Sequence, residues 1–143
     1  MVTFRLVGES GGSARAVTDR LGITPTGAVE VGHPIGTRRP DRLYEQSGWW
    51  LSSATSPEDG VELAEALHRV LNQLEPVAPL LWELVEQGYW ANWFCHVGSH
   101  ATEHAVELDR AFLTRLLGLP GELWLDIYGD DDEERSQRRG QYT

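Results

Sequence analysis

The hydrophobic positions along this chain change their spacing several times, and each change marks an element. Val2 to Val7, rich in Val, Phe and Thr, reads as a strand ending at Gly8. Ser10-Gly11-Gly12 makes a turn. Ala14, Val17 and Leu21 then recur at helical spacing. Ser13 suits the N-cap of that helix, Gly22 sits where a left-handed C-cap is wanted, and Pro25 prevents continuation. Residues 26 to 48 carry no long apolar rhythm, only a short strand at Ala28 to Val31. A loop of that length implies a functional or mobile segment. Trp49-Trp50-Leu51 is the next strand, and its alternation sends one indole inward and one outward.

Ser56-Pro57-Glu58-Asp59 predicts a helix start, with Ser56 as cap, Pro57 in the first turn and Asp59 reaching back. Val61, Ala64, Leu67, Leu71 and Leu74 form its apolar stripe. Pro76 and Pro79 break it, and a second helix runs through Leu80, Leu81, Leu84 and Val85 to Gly88. Tyr89 to Val97 is an aromatic strand. Gly98-Ser99 fits a type II′ turn, which predicts a hairpin with Ala101 to Leu108 returning. Asp109 caps a last helix bearing Ala111, Phe112, Leu113, Leu116 and Leu117, closed by Gly118 and Pro120. Leu123 to Tyr128 is the final strand.

These elements predict a single α+β domain over residues 1–129, with a largely antiparallel sheet and helices packed on one face. Phe4 to Gly8 matches Phe94 to Gly98, the run around Leu21-Gly22 matches that around Leu117-Gly118, and Trp50-Leu51 matches Trp124-Leu125. This pseudo-repeat suggests a ferredoxin-like layout with an inserted helical pair. Cap chemistry, which is limited at any helix–Gly–strand junction, accounts for the same matches without duplication. Residues 130–143 read as a charged flexible tail, acidic from Asp130 to Glu134 and then basic at Arg135, Arg138 and Arg139.

Composition narrows the function. The 143 residues carry 12 basic and 22 acidic side chains, for a net charge of −10. All the basic ones are arginine. An acidic chain of pI 4.8 does not suit non-specific nucleic-acid binding. The same field would steer in a basic partner. No apolar run approaches the roughly 20 residues that span a bilayer, so no membrane association is expected. The N-terminus lacks the pattern of a signal peptide, and a lone Cys95 fits a reducing, cytoplasmic setting. No cofactor is implied.

Several segments invite chemistry. His100-Ala101-Thr102-Glu103-His104 spells a zinc-hydrolase pattern, which needs a helix so that His100 and His104 share a metal with Glu103 as base. On the predicted strand the two His lie about 13 Å apart, too far to do so. Arg38 and Arg39, with His33, could hold an anion in the long loop or pair with surface carboxylates. Gly8 to Gly12 lacks phosphate-loop spacing and reads as a turn. Trp82, Trp124 and one of Trp49 and Trp50 are expected in the core. In the 89–108 hairpin, Tyr89, Ala91, Trp93, Cys95 and Val97 share one face with Thr102, Val106 and Leu108, which should cover the core. The other face sets Trp90, Asn92, Phe94 and His96 opposite Glu107, Ala105, Glu103 and Ala101. It meets a partner, unless the inserted helices cover it and make it core as well.

Leu21-Gly22-Ile23-Thr24-Pro25-Thr26, Gly32, Trp50, the leucine-rich run Leu67 to Leu74, Leu116-Leu117-Gly118-Leu119 and Asp126-Ile127-Tyr128 occur in an order and spacing that carry a resemblance. The chain resembles a bacterial family of uncharacterised proteins, the domain of unknown function numbered 4279, over about residues 2 to 129. The resemblance implies a small α+β domain and supplies no catalytic residues. The His-rich stretch 96–104 lies outside the matching motifs, so no family role attaches to it.

The expectation is a non-enzymatic binding protein, of the immunity-protein or antitoxin kind, that meets another, basic protein. Trp90, Phe94, His96, Glu103 and Glu107 would form its surface, with Arg38 and Arg39 as a second candidate. The alternative is a small metal-dependent hydrolase built on His96, His100, Glu103 and His104. Monomer and dimer are not distinguished.

Overall fold

The computed structural model describes residues 1–38, 40–54, 57, 60–99 and 106–129. Five strands, β1 (Val2–Gly8), β2 (Gly27–Val29), β3 (Ser47–Ser52), β4 (Tyr89–Ser99) and β5 (Glu122–Gly129), form one sheet in the order β2-β3-β1-β4-β5. Four helices, α1 (Ala14–Leu21), α2 (Gly60–Leu74), α3 (Ala78–Glu86) and α4 (Arg110–Leu117), join them. Neighbouring strands are antiparallel except β4 and β5, which run parallel. The chain is thus an α+β fold with a mostly antiparallel sheet.

Alternation along the strands makes the sheet two-sided. Val2, Phe4 and Leu6 of β1, Trp49 and Leu51 of β3, and Tyr89, Ala91, Trp93, Cys95 and Val97 of β4 point to the helices and are buried. These are the β4 residues expected to cover the core. Helix α1 docks through Val17 and Leu21, and the Trp49 indole N–H donates to Thr18 Oγ1 at 3.1 Å. Ser13 accepts from the Ala16 N–H, and Gly22 closes the helix at φ 69°. Helix α2 buries Leu63, Ala66, Leu67, Val70, Leu71 and Leu74, a broader stripe than the sequence suggests, with Ala64 at its margin. A 3₁₀ turn at Glu75–Val77 leads into α3 at the two prolines. Helix α4, capped by Asp109, is held by Arg115, whose guanidinium donates to Glu75, His68 and Asn72. That bond holds the Glu75 carboxyl below its ordinary range.

Four expectations need correction. Gly98-Ser99 is not a hairpin tip. Gly98 lacks the positive φ of a type II′ turn, and β4 runs straight through both residues. β1 pairs with Tyr89 to Cys95 along one edge of β4 and β5 with Asn92 to Ser99 along the other, so neither edge is free along the length a hairpin would need; residues 101–105 of the expected return lie outside the described residues. Residues 106–109 are coil, although Val106 and Leu108 do pack against the core. Second, the ferredoxin-like layout needs an addition: β1-α1-β2-β3-α2/α3-β4 does form it, with the order β2-β3-β1-β4 and antiparallel neighbours, and β5 extends the sheet at the β4 edge, parallel to β4. Third, the repeat has no structural counterpart: Phe4 faces the helices while Phe94 lies on the opposite side, and Gly118, at φ −72°, does not share Gly22's left-handed cap.

Fourth, Trp82 and Trp124 are outside the core, at 44% and 53% exposure. Trp82 lies off the Leu81–Leu84 stripe, and its N–H donates to the Gly118 carbonyl at 2.8 Å. Trp124 is placed opposite Phe94 by the parallel register, on the side away from the helices. The expected cap at Ser56-Pro57-Glu58-Asp59 and the charged tail from residue 130 lie outside the described residues, Pro57 excepted.

Candidate functional site

Among the described residues no helix covers the second face of the sheet. Register fixes what that face displays. One row across the strands reads Val29, Gly48, Val7, Trp90. The next reads Gly27, Trp50, Arg5, Asn92, Glu122, and the third Ser52, Thr3, Phe94, Trp124. His96 and Asp126 follow. Trp50, Trp90 and Phe94 therefore stand around one central arginine, with Trp124 beyond Phe94 on β5.

Arg5 is exposed and central. Its Nε donates to Asn92 Oδ1 at 3.2 Å, and its guanidinium carbon lies 5.6 Å from the centre of the Trp90 ring. Asn92 is only 1% exposed, and its Nδ2 has no hydrogen-bond partner among the described residues. Phe94 and His96 stack at 6.4 Å and 19°. His96 Nδ1 lies 3.3 Å from Asp126 Oδ2. Glu122 receives the Trp124 indole N–H at 3.2 Å.

The face is electrically divided. Its β4–β5 half carries Glu122 and Asp126 beside Trp90, Phe94 and Trp124. Its β2-β3-β1 half is cationic and partly roofed. The segments 32–35 and 42–46 lie against each other, with Ile35 N–H donating to the Arg42 carbonyl and Tyr44 N–H to that of His33. Ile35 and residues 42–46, with Val7, Val29, Gly48, Trp50 and Arg5, line an open cleft of ≈ 600 Å³. A side chain at Gly27 would come within 2.2 Å of the Trp50 ring, so the glycine lets that indole lie against β2.

The structure brings Trp90, Phe94 and His96 together on one face. Glu107 is exposed in the coil before α4 and does not pair with Trp90. Arg38 is exposed in the long loop and does not line the cleft, where Arg42 stands instead. Arg39, His100, Glu103 and His104 lie outside the described residues. No group of three or more His, Cys, Asp or Glu side chains poised for a metal occurs among the described residues. Cys95 is fully buried, and burial pushes its thiol up to about 12. The residues that sequence reasoning missed are Arg5, Arg42, Trp124 and Asp126, while Trp50 is the outward member of the Trp49-Trp50 pair. For Arg5 a signal existed: it is the one charged residue in a strand whose neighbours are apolar.

The fold and this face define a small α+β domain with a one-sided helical layer and an aromatic outer sheet surface. The chain belongs to the family described as Domain of unknown function (DUF4279), whose model matches residues 1–130. No curated protein and no solved structure matches it. No helix among the described residues is long and apolar enough to cross a membrane.

Proposed function

We propose that this chain is a cytoplasmic, bacterial, non-enzymatic binding protein of the immunity or antitoxin kind, and that a basic polypeptide docks on the β4–β5 half of its outer sheet face. The observation that carries the reading is the grouping of Trp90, Phe94 and Trp124 beside Glu122 and Asp126 on a surface that no described helix covers. Aromatic side chains are the commonest anchors of protein interfaces, and carboxylates at the rim select a cationic partner. The Arg5 guanidinium lies 5.6 Å from the centre of the Trp90 ring, a cation–π contact of the kind a partner's cationic side chain would make with the neighbouring aromatics. The net charge of −10 favours the same encounter at long range.

The test measures affinity and thermal stability together, with a short peptide of alternating lysine and leucine as probe. Trp90→Ala and Phe94→Ala leave the charge unchanged. Each should weaken binding by about tenfold or more, the scale of an interface anchor. Each should change stability by less than about 1 kcal/mol. Unchanged affinity would reduce the interaction to net charge alone. A stability loss of about 3 kcal/mol or more would make the face core and refute the assignment.

A further inference from the structure

The cleft at the other end of this face differs in charge and shape from the docking half. Across β3, β1, β4 and β5, Trp50 and Trp124 stand three inter-strand steps apart, about 14 Å. The cleft's volume of ≈ 600 Å³ falls in the range of small-molecule sites. Arg5 stands at its floor and Arg42 in its wall. Among the described residues neither guanidinium makes an ion pair, in a chain where acidic side chains outnumber basic ones. Arg5 uses Nε on Asn92, which orients the group and leaves its two Nη atoms for another acceptor.

Glu45 also lines the cleft. Two guanidinium groups against one carboxylate leave a single positive charge, which matches a monoanion better than a dianion. Trp50, lying against Gly27, and Tyr44 give aromatic surface beside the arginines. Gly48 keeps the floor between Val7 and Val29 clear: a Cβ there would stand 3.3 Å from Val29 Cγ2.

We infer that this cleft binds a planar organic monocarboxylate, with Arg5 and Arg42 on the carboxylate and Trp50 against the ring. The guanidinium fork pairs with the two carboxylate oxygens, and the aromatic wall takes the apolar body. The inference does not require the docking of a basic polypeptide: its ligand meets Arg42 and Trp50 on the loop and β3, and the two surfaces adjoin only at Arg5, which lies beside Trp90.

The experiment titrates the full-length chain with 2-naphthoate, its neutral analogue 2-naphthamide and inorganic phosphate, following the Trp indole N–H resonances by NMR. 2-Naphthoate should bind one to one and move the Trp50 signal while leaving Trp82 and Trp124 in place. It should bind about tenfold more tightly than the amide, the difference between a charge-assisted and a neutral hydrogen bond. Arg42→Gln, in an exposed loop, should remove about that factor, and Gly48→Val should block binding by filling the floor. Equal affinity for acid and amide would overturn the inference. So would phosphate binding as tightly as naphthoate, unchanged affinity in both variants, or a Trp50 signal that stays still at millimolar naphthoate.

Discussion

Cys95 shows at one residue what the helix-covered side of the sheet does to chemistry. Its thiol is buried among apolar neighbours, and loss of hydration raises its pKa from 9.0 to about 12. A native thiol of this kind is inert near neutrality. A disulfide-exchange reagent at pH 8 should label the chain only after denaturant unfolds it, and rapid labelling of the native chain would contradict the burial. The linkage has a definite sign. Below pH 9 the thiol is neutral in both folded and unfolded chains. Between pH 9 and 12 the unfolded chain ionises first, so stability falls as pH rises. Wild type should lose more stability over that window than Cys95→Ala does. Equal pH dependence in the two proteins would show that the thiol does not titrate as described.

Strand β4 is the element on which the two sides of the molecule are easiest to compare. Trp93 is fully buried against Phe4, their ring centres 5.0 Å apart, while Phe94, its neighbour, is only half-buried on the outer face. Trp93→Ala should cost about 3–5 kcal/mol in denaturant unfolding, and Phe94→Ala far less. Comparable losses would mean that both faces are core. This inside–outside division of β4 was legible in sequence, because a period of two leaves no choice once one side is apolar. The caps of α1 and α4 were legible too, since Ser13, Gly22 and Asp109 act through local geometry. The ferredoxin-like arrangement of β1 to β4 was anticipated, but the added strand β5, parallel to β4, was not. Gly98-Ser99 has the composition of a turn, yet whether it turns depends on whether β4 has a free edge, and β1 and β5 leave neither free along the length a hairpin would need. Trp124 was misplaced for the same reason, because its side follows from pairing with Phe94, which no local pattern encodes. Arg42 entered the cleft because its carbonyl pairs with the Ile35 N–H, while Arg38, four residues earlier, does not line it.

At the scale of the whole molecule, the sheet separates a packed core from a surface that collects aromatic and charged side chains. The six tryptophans report on that separation because the fold distributes them. Trp49 and Trp93 are in the core, Trp82 sits beside the end of α4, Trp50 lines the cleft, and Trp90 and Trp124 flank Phe94. The central claim is that the outer sheet face, not the helical side, is the binding surface. The most direct test is one NMR titration of the isotope-labelled chain with the lysine–leucine peptide, read at the six indole N–H signals. The account predicts that Trp90 and Trp124 shift with saturation while Trp49, Trp93 and Trp82 stay fixed. Saturating shifts at Trp82 with Trp90 and Trp124 unmoved would place binding on the helical side and contradict it.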